Sequence, residues 1–288
     1  MIAIDIDGTL TATGGVIGAR TLAALRAAGQ AGVEIVIATG RRFSFALPIV
    51  VPLELAADAT LITANGSVVK TFGGELIERT LLPLEMAREI CRRLPEFTDS
   101  MVFTFDVEGR GSLVIESMQT LSRSIDRWVM ANLESIETVN PLIDAFAEGS
   151  CPMQGMIAGG LERMSMARSI LAEEGGRLAR EITVHRTEYP ARDLSIVDML
   201  PAGCSKGAAL KRLACARRIA REDVMAIGDN WNDFEMLDWA GQPVIMRNAP
   251  EDLREAAAER GWYVTASNED DGVGLAVERA LGSVVELR

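Results

Sequence analysis

Met1-Ile2-Ala3-Ile4-Asp5-Ile6-Asp7-Gly8-Thr9-Leu10 opens the chain. Residues 1–6 are rich in β-branched isoleucine, the pattern of a short buried strand. Burying charge is costly, so a strand that ends in two carboxylates must deliver them to a cation or to an open cleft. Spacing of two along a strand puts Asp5 and Asp7 on one face. Open parallel sheets bind ligands beyond the carboxyl ends of their strands, which is where both acids fall. Gly8 then lets the chain turn sharply. Asp-Gly is also an ordinary turn signal, so the stretch needs support from elsewhere.

That support comes from the rhythm on either side. Ala19–Ala31 is alanine- and leucine-rich and stops at Gly32, which predicts a helix. Val33–Ala38 and Thr60–Thr63 are further apolar, β-branched runs. The rhythm returns late, with helices expected over Gly207–Ala220, Asn232–Ala240 and Pro250–Arg260. Strands are expected over Val224–Ile227, Pro243–Met246 and Trp262–Thr265. Strand and helix in alternation imply parallel strands with crossover helices.

The middle differs. Helices are expected over Leu84–Leu94, Met118–Asn132 and Leu161–Glu174, with strand-like stretches Met101–Val107, Gly111–Ile115 and Ile182–His185 among them. This divides the chain into a first core segment (residues 1–82), an α+β insert (83–187) and a second core segment (188–288).

The 288 residues are 48% hydrophobic, enough to bury a sizeable core, and carry a formal net charge of −12. Such a surface repels nucleic acid and anionic membrane, so neither is expected as a partner. An anionic substrate would have to meet a local positive centre. Cys91, Cys151, Cys204 and Cys215 are scattered without metal-ligand spacing and read as thiols in a reducing compartment. No signal peptide is read at the start, and no apolar run approaches the roughly 20 residues needed to span a bilayer. The cytoplasm is the expected location.

Three further clusters follow strands or open helices. Thr39-Gly40-Arg41 offers a hydroxyl, a flexible amide and a guanidinium at a strand end, a grip for an oxyanion or an ordinary helix start. Ser205-Lys206-Gly207 opens a helix, where a lysine opposes the helix dipole and so needs another reason to be there. Gly228-Asp229-Asn230-Trp231-Asn232-Asp233 gathers carboxylates and amides at a strand-to-helix turn, an oxygen-rich donor set for a hard cation. His185 is the only histidine and reads as structural, so no proton relay through histidine is available.

Taken in order, these motifs resemble those of the haloacid dehalogenase superfamily of phosphohydrolases. DIDGTL is similar to its first motif, ATGR to its second, the lysine of SKG to its third and GDNWND to its fourth. The insert between the second and third motifs resembles the type-IIB, Cof-like branch. So do Ile62–Gly66, Asp198–Gly203, Met246-Arg247-Asn248-Ala249 and Asn268–Val273. One departure is Arg247, where that branch often has glycine. The resemblance implies an α/β fold, a Rossmann-like parallel sheet with an α+β cap of type C2B. It implies a Mg²⁺-dependent phosphatase with Asp5 as nucleophile and Asp7 as general acid and base. Thr39, Gly40, Arg41, Asn65, Lys206 and Asn232 would bind phosphate or substrate. The metal would lie among Asp5, the backbone carbonyl of Asp7, Asp229 and Asp233. The expected substrate is a small phosphorylated metabolite, a sugar phosphate. A phosphomutase of the same superfamily, such as a phosphomannomutase, shares the motifs, and a non-catalytic phosphate-binding protein could carry them too.

Overall fold

A computed structural model describes residues 1–121, 123–147, 149 and 151–285. The chain runs β1 (Ile2–Ile4), α1 (Ala19–Gln30), β2 (Ile35–Ala38), α2 (Phe43–Val50), β3 (Thr60–Thr63), β4 (Val68–Thr71) and β5 (Leu76–Arg79). It continues through α3 (Leu84–Arg93), β6 (Val102–Thr104), β7 (Leu113–Ile115), α4 (Asp126–Met130), β8 (Ile136–Thr138), β9 (Gln154–Gly159), α5 (Leu161–Leu171), α6 (Leu178–Glu181), β10 (Ile182–Tyr189) and β11 (Leu194–Pro201). It closes with α7 (Lys206–Arg217), β12 (Met225–Gly228), α8 (Phe234–Trp239), β13 (Gln242–Ile245), α9 (Glu251–Glu259), β14 (Tyr263–Val264) and α10 (Gly272–Val285).

Two compact units result, Met1–Arg79 with Ser205–Arg288, and Thr80–Cys204. The first holds a sheet in the order β14-β13-β12-β1-β2-β3-β4-β5. Its strands from β14 to β3 pair in parallel, as the alternation implied. The β3–β4 and β4–β5 pairs are antiparallel, a departure from an all-parallel sheet. Helices cover both faces, and each face has its own core. Ile4, Ile37, Leu61 and Ile227 pack with Leu25 and Val277 on one side. Ala3, Val36, Ala38 and Ala226 pack with Leu210, Met236 and Leu253 on the other. In α1, buried Thr21, Ala24, Leu25 and Ala28 lie at three- and four-residue spacing, one stripe of a helix.

The second unit is a six-stranded sheet in the order β10-β11-β9-β6-β7-β8. It runs to Cys204 rather than stopping at Thr187, because β11 pairs antiparallel with both β10 and β9. Its helices α3 and α5 bury Met86, Ile90, Met164 and Leu171 against Phe103, Ile157 and Val197. The helix expected over Met118–Asn132 shrinks to α4, Asp126–Met130. Before it the chain bonds locally instead, where Ser117 Oγ accepts from the Gln119 amide at 3.0 Å. Ser122, inside that expected helix, lies outside the described residues. The helix expected to Glu174 ends at Leu171, just before the turn through Gly175-Gly176.

Candidate active site

Strand register assembles the first unit's site. Ile4 of β1 lies opposite Ile37 of β2 and Ile227 of β12, and Ala38 of β2 opposite Ile62 of β3. The residues that follow are therefore neighbours: Asp5 beside Ala38 and Gly228, with Thr39, Thr63 and Asp229 one step on. All lie past the carboxyl ends of adjacent parallel strands. Asp5 is anchored on both sides. Its amide donates to the Ile227 carbonyl at 3.1 Å, and its carbonyl accepts from the Leu10 amide at 3.2 Å.

Lys206, the first residue of α7, is fully buried. Its Nζ donates to Asp5 Oδ1 at 2.6 Å and to Asp233 Oδ1 at 2.7 Å. This is the reason for a lysine at a helix start. Ser205 caps the same helix by accepting from the Ala208 amide at 2.9 Å, and its hydroxyl donates to Glu235 Oε2. Gly207 is required by packing, since a Cβ there would lie 2.6 Å from the Glu235 backbone.

The turn after β12 is built around Asp233. Its Oδ2 accepts from the amides of Asp229 at 3.0 Å and Asn230 at 3.1 Å. With Oδ1 taken by Lys206, both of its oxygens are engaged. Asp233, expected among the metal ligands, thus stands here as the cap of the turn and the second partner of Lys206. Asp229 is held by Thr9, whose hydroxyl donates to Oδ1 at 3.0 Å.

Carboxylate oxygens of Asp5, Asp229 and Asp233 lie within 4.8 Å of one another, and all three residues are buried. Lys206 is placed among them as a countercharge by direct hydrogen bonds to Asp5 and Asp233. Burial first, then the charges of Asp233 and Asp7, pushes Asp5 up to about 7 despite Lys206. Burial, followed by Asp5 and Asp233, raises Asp229 well above the carboxylate range. Burial works against the Lys206 ammonium, but Asp233 and Asp5 outweigh it and hold the group charged. An all-oxygen donor set of this kind suits a hard divalent cation such as Mg²⁺.

Asp7 and Arg41 are partly exposed and paired at both oxygens. Arg41 Nε donates to Asp7 Oδ2 at 2.7 Å and Nη2 to Oδ1 at 2.6 Å. Arg41, expected to bind substrate, thus has its guanidinium on the neighbouring carboxylate. Thr39 is buried, and its hydroxyl accepts from the Arg41 amide at 3.1 Å. Asn65 is buried in a left-handed conformation (φ 50°), between Ala64 (φ 48°) and Gly66 (φ 94°). Its Oδ1 accepts from Asn232 Nδ2 at 3.2 Å, while its Nδ2 has no partner among the described residues. Gly40 leaves room for it, since a Cβ there would lie 3.2 Å from that Nδ2. Strained backbone of this kind is stored where a side chain must be aimed. Thus Asp5, Lys206, Asp229 and Asp233 form one cluster, with Asp7–Arg41 joining the loops after β1 and β2 and Asn65–Asn232 as an adjoining amide pair.

Sequence reasoning missed Thr9 as a ligand of Asp229, and Asn248, whose Nδ2 donates to the Gly8 carbonyl at 2.8 Å. Their signal was present, Thr9 inside DIDGTL and Asn248 in the Met246–Ala249 phrase. Arg247 is exposed and not among the residues with positive φ, so its position makes no demand for glycine. His185 belongs to the second unit, buried on β10 with Nε2 3.3 Å from the Cys204 carbonyl.

A buried lysine between carboxylates at parallel-strand ends, beside a second aspartate pair, defines the class: an α/β enzyme of phosphoryl transfer. Residues 2–277 match the haloacid dehalogenase-like hydrolase family. The chain belongs to that family, as a phosphatase. It is 28% identical to the 5-amino-6-(5-phospho-D-ribitylamino)uracil phosphatase YwtE of Bacillus subtilis, over 97% of each chain. It is 31% identical to an HMP-PP phosphatase of Escherichia coli, over 88% of this chain and 86% of that one. The HAD subclass IIB sugar phosphatase BT4131 has a similar fold, with a TM-score of 0.76 at 23% identity, covering 96% of this chain and 97% of that one.

Proposed function

We propose that the protein is a Mg²⁺-dependent phosphomonoester hydrolase of a small phosphorylated metabolite, a sugar or polyol phosphate, working through an aspartyl phosphate on Asp5. The observation that carries this reading is the placement of Lys206 Nζ on both Asp5 and Asp233, with Asp229 in the same cluster. Asp5 is held in one orientation by this contact and by its backbone bonds, which suits a nucleophile that must attack in line.

In the first half-reaction an Asp5 oxygen bonds to phosphorus and the ester oxygen leaves, taking a proton from Asp7. In the second, water attacks phosphorus while Asp7 takes its proton, and inorganic phosphate departs from the restored Asp5 carboxylate. To do this Asp7 must exchange its Arg41 contacts for the reacting oxygen, and it is the partly exposed member of the set. Lys206, the Thr39 hydroxyl and the Asn65 amide are the donors assigned to the phosphate oxygens, in line with the unpartnered Asn65 Nδ2. Asn232 orients that amide. Asp5 and Asp229, with the Asp7 backbone carbonyl, are the residues that would hold Mg²⁺. Bound there, the cation would neutralise charge on the phosphate and the carboxylates.

The substrate class rests on the YwtE relative, whose name gives a substrate with a phosphoribityl group. The four cysteines are free thiols, in keeping with a reducing compartment such as the cytoplasm. Among the described residues no helix is long and apolar enough to cross a membrane. The test is phosphate release from a panel of sugar and polyol phosphates with Mg²⁺. Wild type should turn over at least one of them, while Asp5→Asn stays folded by circular dichroism and inactive. Full activity in Asp5→Asn would remove Asp5 from the chemistry.

A further inference from the structure

Two asparagines outside the four motifs close a chain of hydrogen bonds around the loop that follows β1. Asn248, after β13, donates from Nδ2 to the Gly8 carbonyl at 2.8 Å and reaches Asp229 Oδ2 at 3.5 Å. Asn268, after β14, donates its backbone amide to Asn248 Oδ1 at 3.0 Å, which leaves Nδ2 of Asn248 aimed at those acceptors. The Asn268 side chain in turn donates to the Thr11 carbonyl at 2.9 Å. On the other side of Asp7, the Ile6 carbonyl accepts from the Thr11 amide at 3.1 Å and from its hydroxyl at 3.0 Å. The peptide before Asp7 and the peptide after Gly8 are therefore pinned from two directions. The loop sits directly on Asp229, since a Cβ on Gly8 would lie 2.3 Å from Asp229 Oδ2.

We infer that Asn248 and Asn268 are positioning residues that set the affinity of the carboxylate cluster for a divalent cation. This rests on the proposed metal site and extends it to two side chains that touch neither phosphate nor metal. Both oxygens of Asp229 acquire a fixed neighbour, Thr9 on Oδ1 and Asn248 on Oδ2, so the carboxylate plane cannot turn freely. Outer hydrogen bonds of this kind orient ligating groups, and their loss typically weakens metal binding about 10- to 100-fold. Asn248 is exposed, so removing its amide leaves the hydrophobic core intact.

The test is calorimetric titration of the full chain with Mg²⁺ alone, without substrate, alongside the melting temperature of the metal-free protein. Asn248→Ala should raise the Mg²⁺ dissociation constant about tenfold or more with the metal-free melting temperature unchanged. Asn268→Ala, which removes the side-chain bond to the Thr11 carbonyl but keeps the backbone amide on Asn248 Oδ1, should move it the same way by a smaller factor. The double variant should bind no more weakly than Asn248→Ala, because the two act as one chain. Wild-type affinity in Asn248→Ala, or fully additive losses in the double variant, would overturn the inference while leaving the metal site standing. A wild-type protein that takes up no Mg²⁺ would overturn the metal site itself, and the inference with it.

Discussion

Lys206 carries its charge into a fully buried position because two carboxylates meet it there. Breaking such a cluster by removing one partner leaves uncompensated buried charge. Lys206→Ala should therefore cost about 3–5 kcal/mol in denaturant unfolding of the metal-free protein, besides abolishing turnover. Asp5 gives a pH dependence of definite sign. Its folded-state value of about 7 stands above the ordinary 3.8, so the folded protein holds a proton there that the unfolded chain releases. Its contribution to stability is full below about pH 4 and is lost as pH rises through about 7. Asp229 is shifted in the same direction. The melting temperature of EDTA-treated protein should consequently fall between pH 5 and pH 7.5. Added Mg²⁺ should raise it more at pH 7.5 than at pH 5. A melting temperature that is flat over this range, with no response to Mg²⁺ at either pH, would contradict the charge balance assigned to the cluster.

The helix α7 presents Lys206 only because it lies close against α8. A methyl group at Gly207 would fall 2.6 Å from the Glu235 backbone, where nothing flexible can give way. Gly207→Ala should destabilise the protein by about 1–3 kcal/mol and lower kcat by displacing Nζ from Asp5; wild-type kinetics would refute that coupling. At this scale the sequence was legible wherever chemistry clashed with local rules. Two acids at the end of an apolar strand, and a lysine at a helix start, each needed a tertiary reason, and the structure supplies it. Asp233 is the converse case. As a first-turn acid it satisfied a local rule, yet it serves both the turn amides and Lys206. The Asp7–Arg41 pair joins residues 34 apart in sequence, so no local pattern announced it. The antiparallel β4–β5 extension was missed although Gly73-Gly74 sits between two strand-forming runs, a hairpin signal. Strand β11 was hidden because Asp198–Pro201 drew attention as a motif rather than as an apolar run. The expected helix over Met118–Asn132 failed for the opposite reason: its apolar spacing suited a helix, but its serines and threonine favour local turns.

Across the whole molecule, each compact unit buries its own core. The second unit is continuous in sequence, Thr80–Cys204, and holds every strand of its sheet. Expressed alone, it should unfold cooperatively on heating with near-native circular dichroism; a fragment without a transition would make it dependent on the first unit. The first unit carries all of the proposed catalytic residues, on segments separated by that insertion. With a net charge of −12 the surface repels a phosphate dianion, so the proposed reading requires Lys206 and a cation to reverse the sign locally. In the proposed mechanism turnover depends on a covalent bond between phosphorus and an Asp5 oxygen. The direct measurement is borohydride trapping during steady-state hydrolysis, followed by peptide mass spectrometry. We expect homoserine in place of aspartate at position 5, dependent on substrate and absent without it. Reduction at another aspartate, or none while phosphate is being released, would contradict Asp5 as the nucleophile.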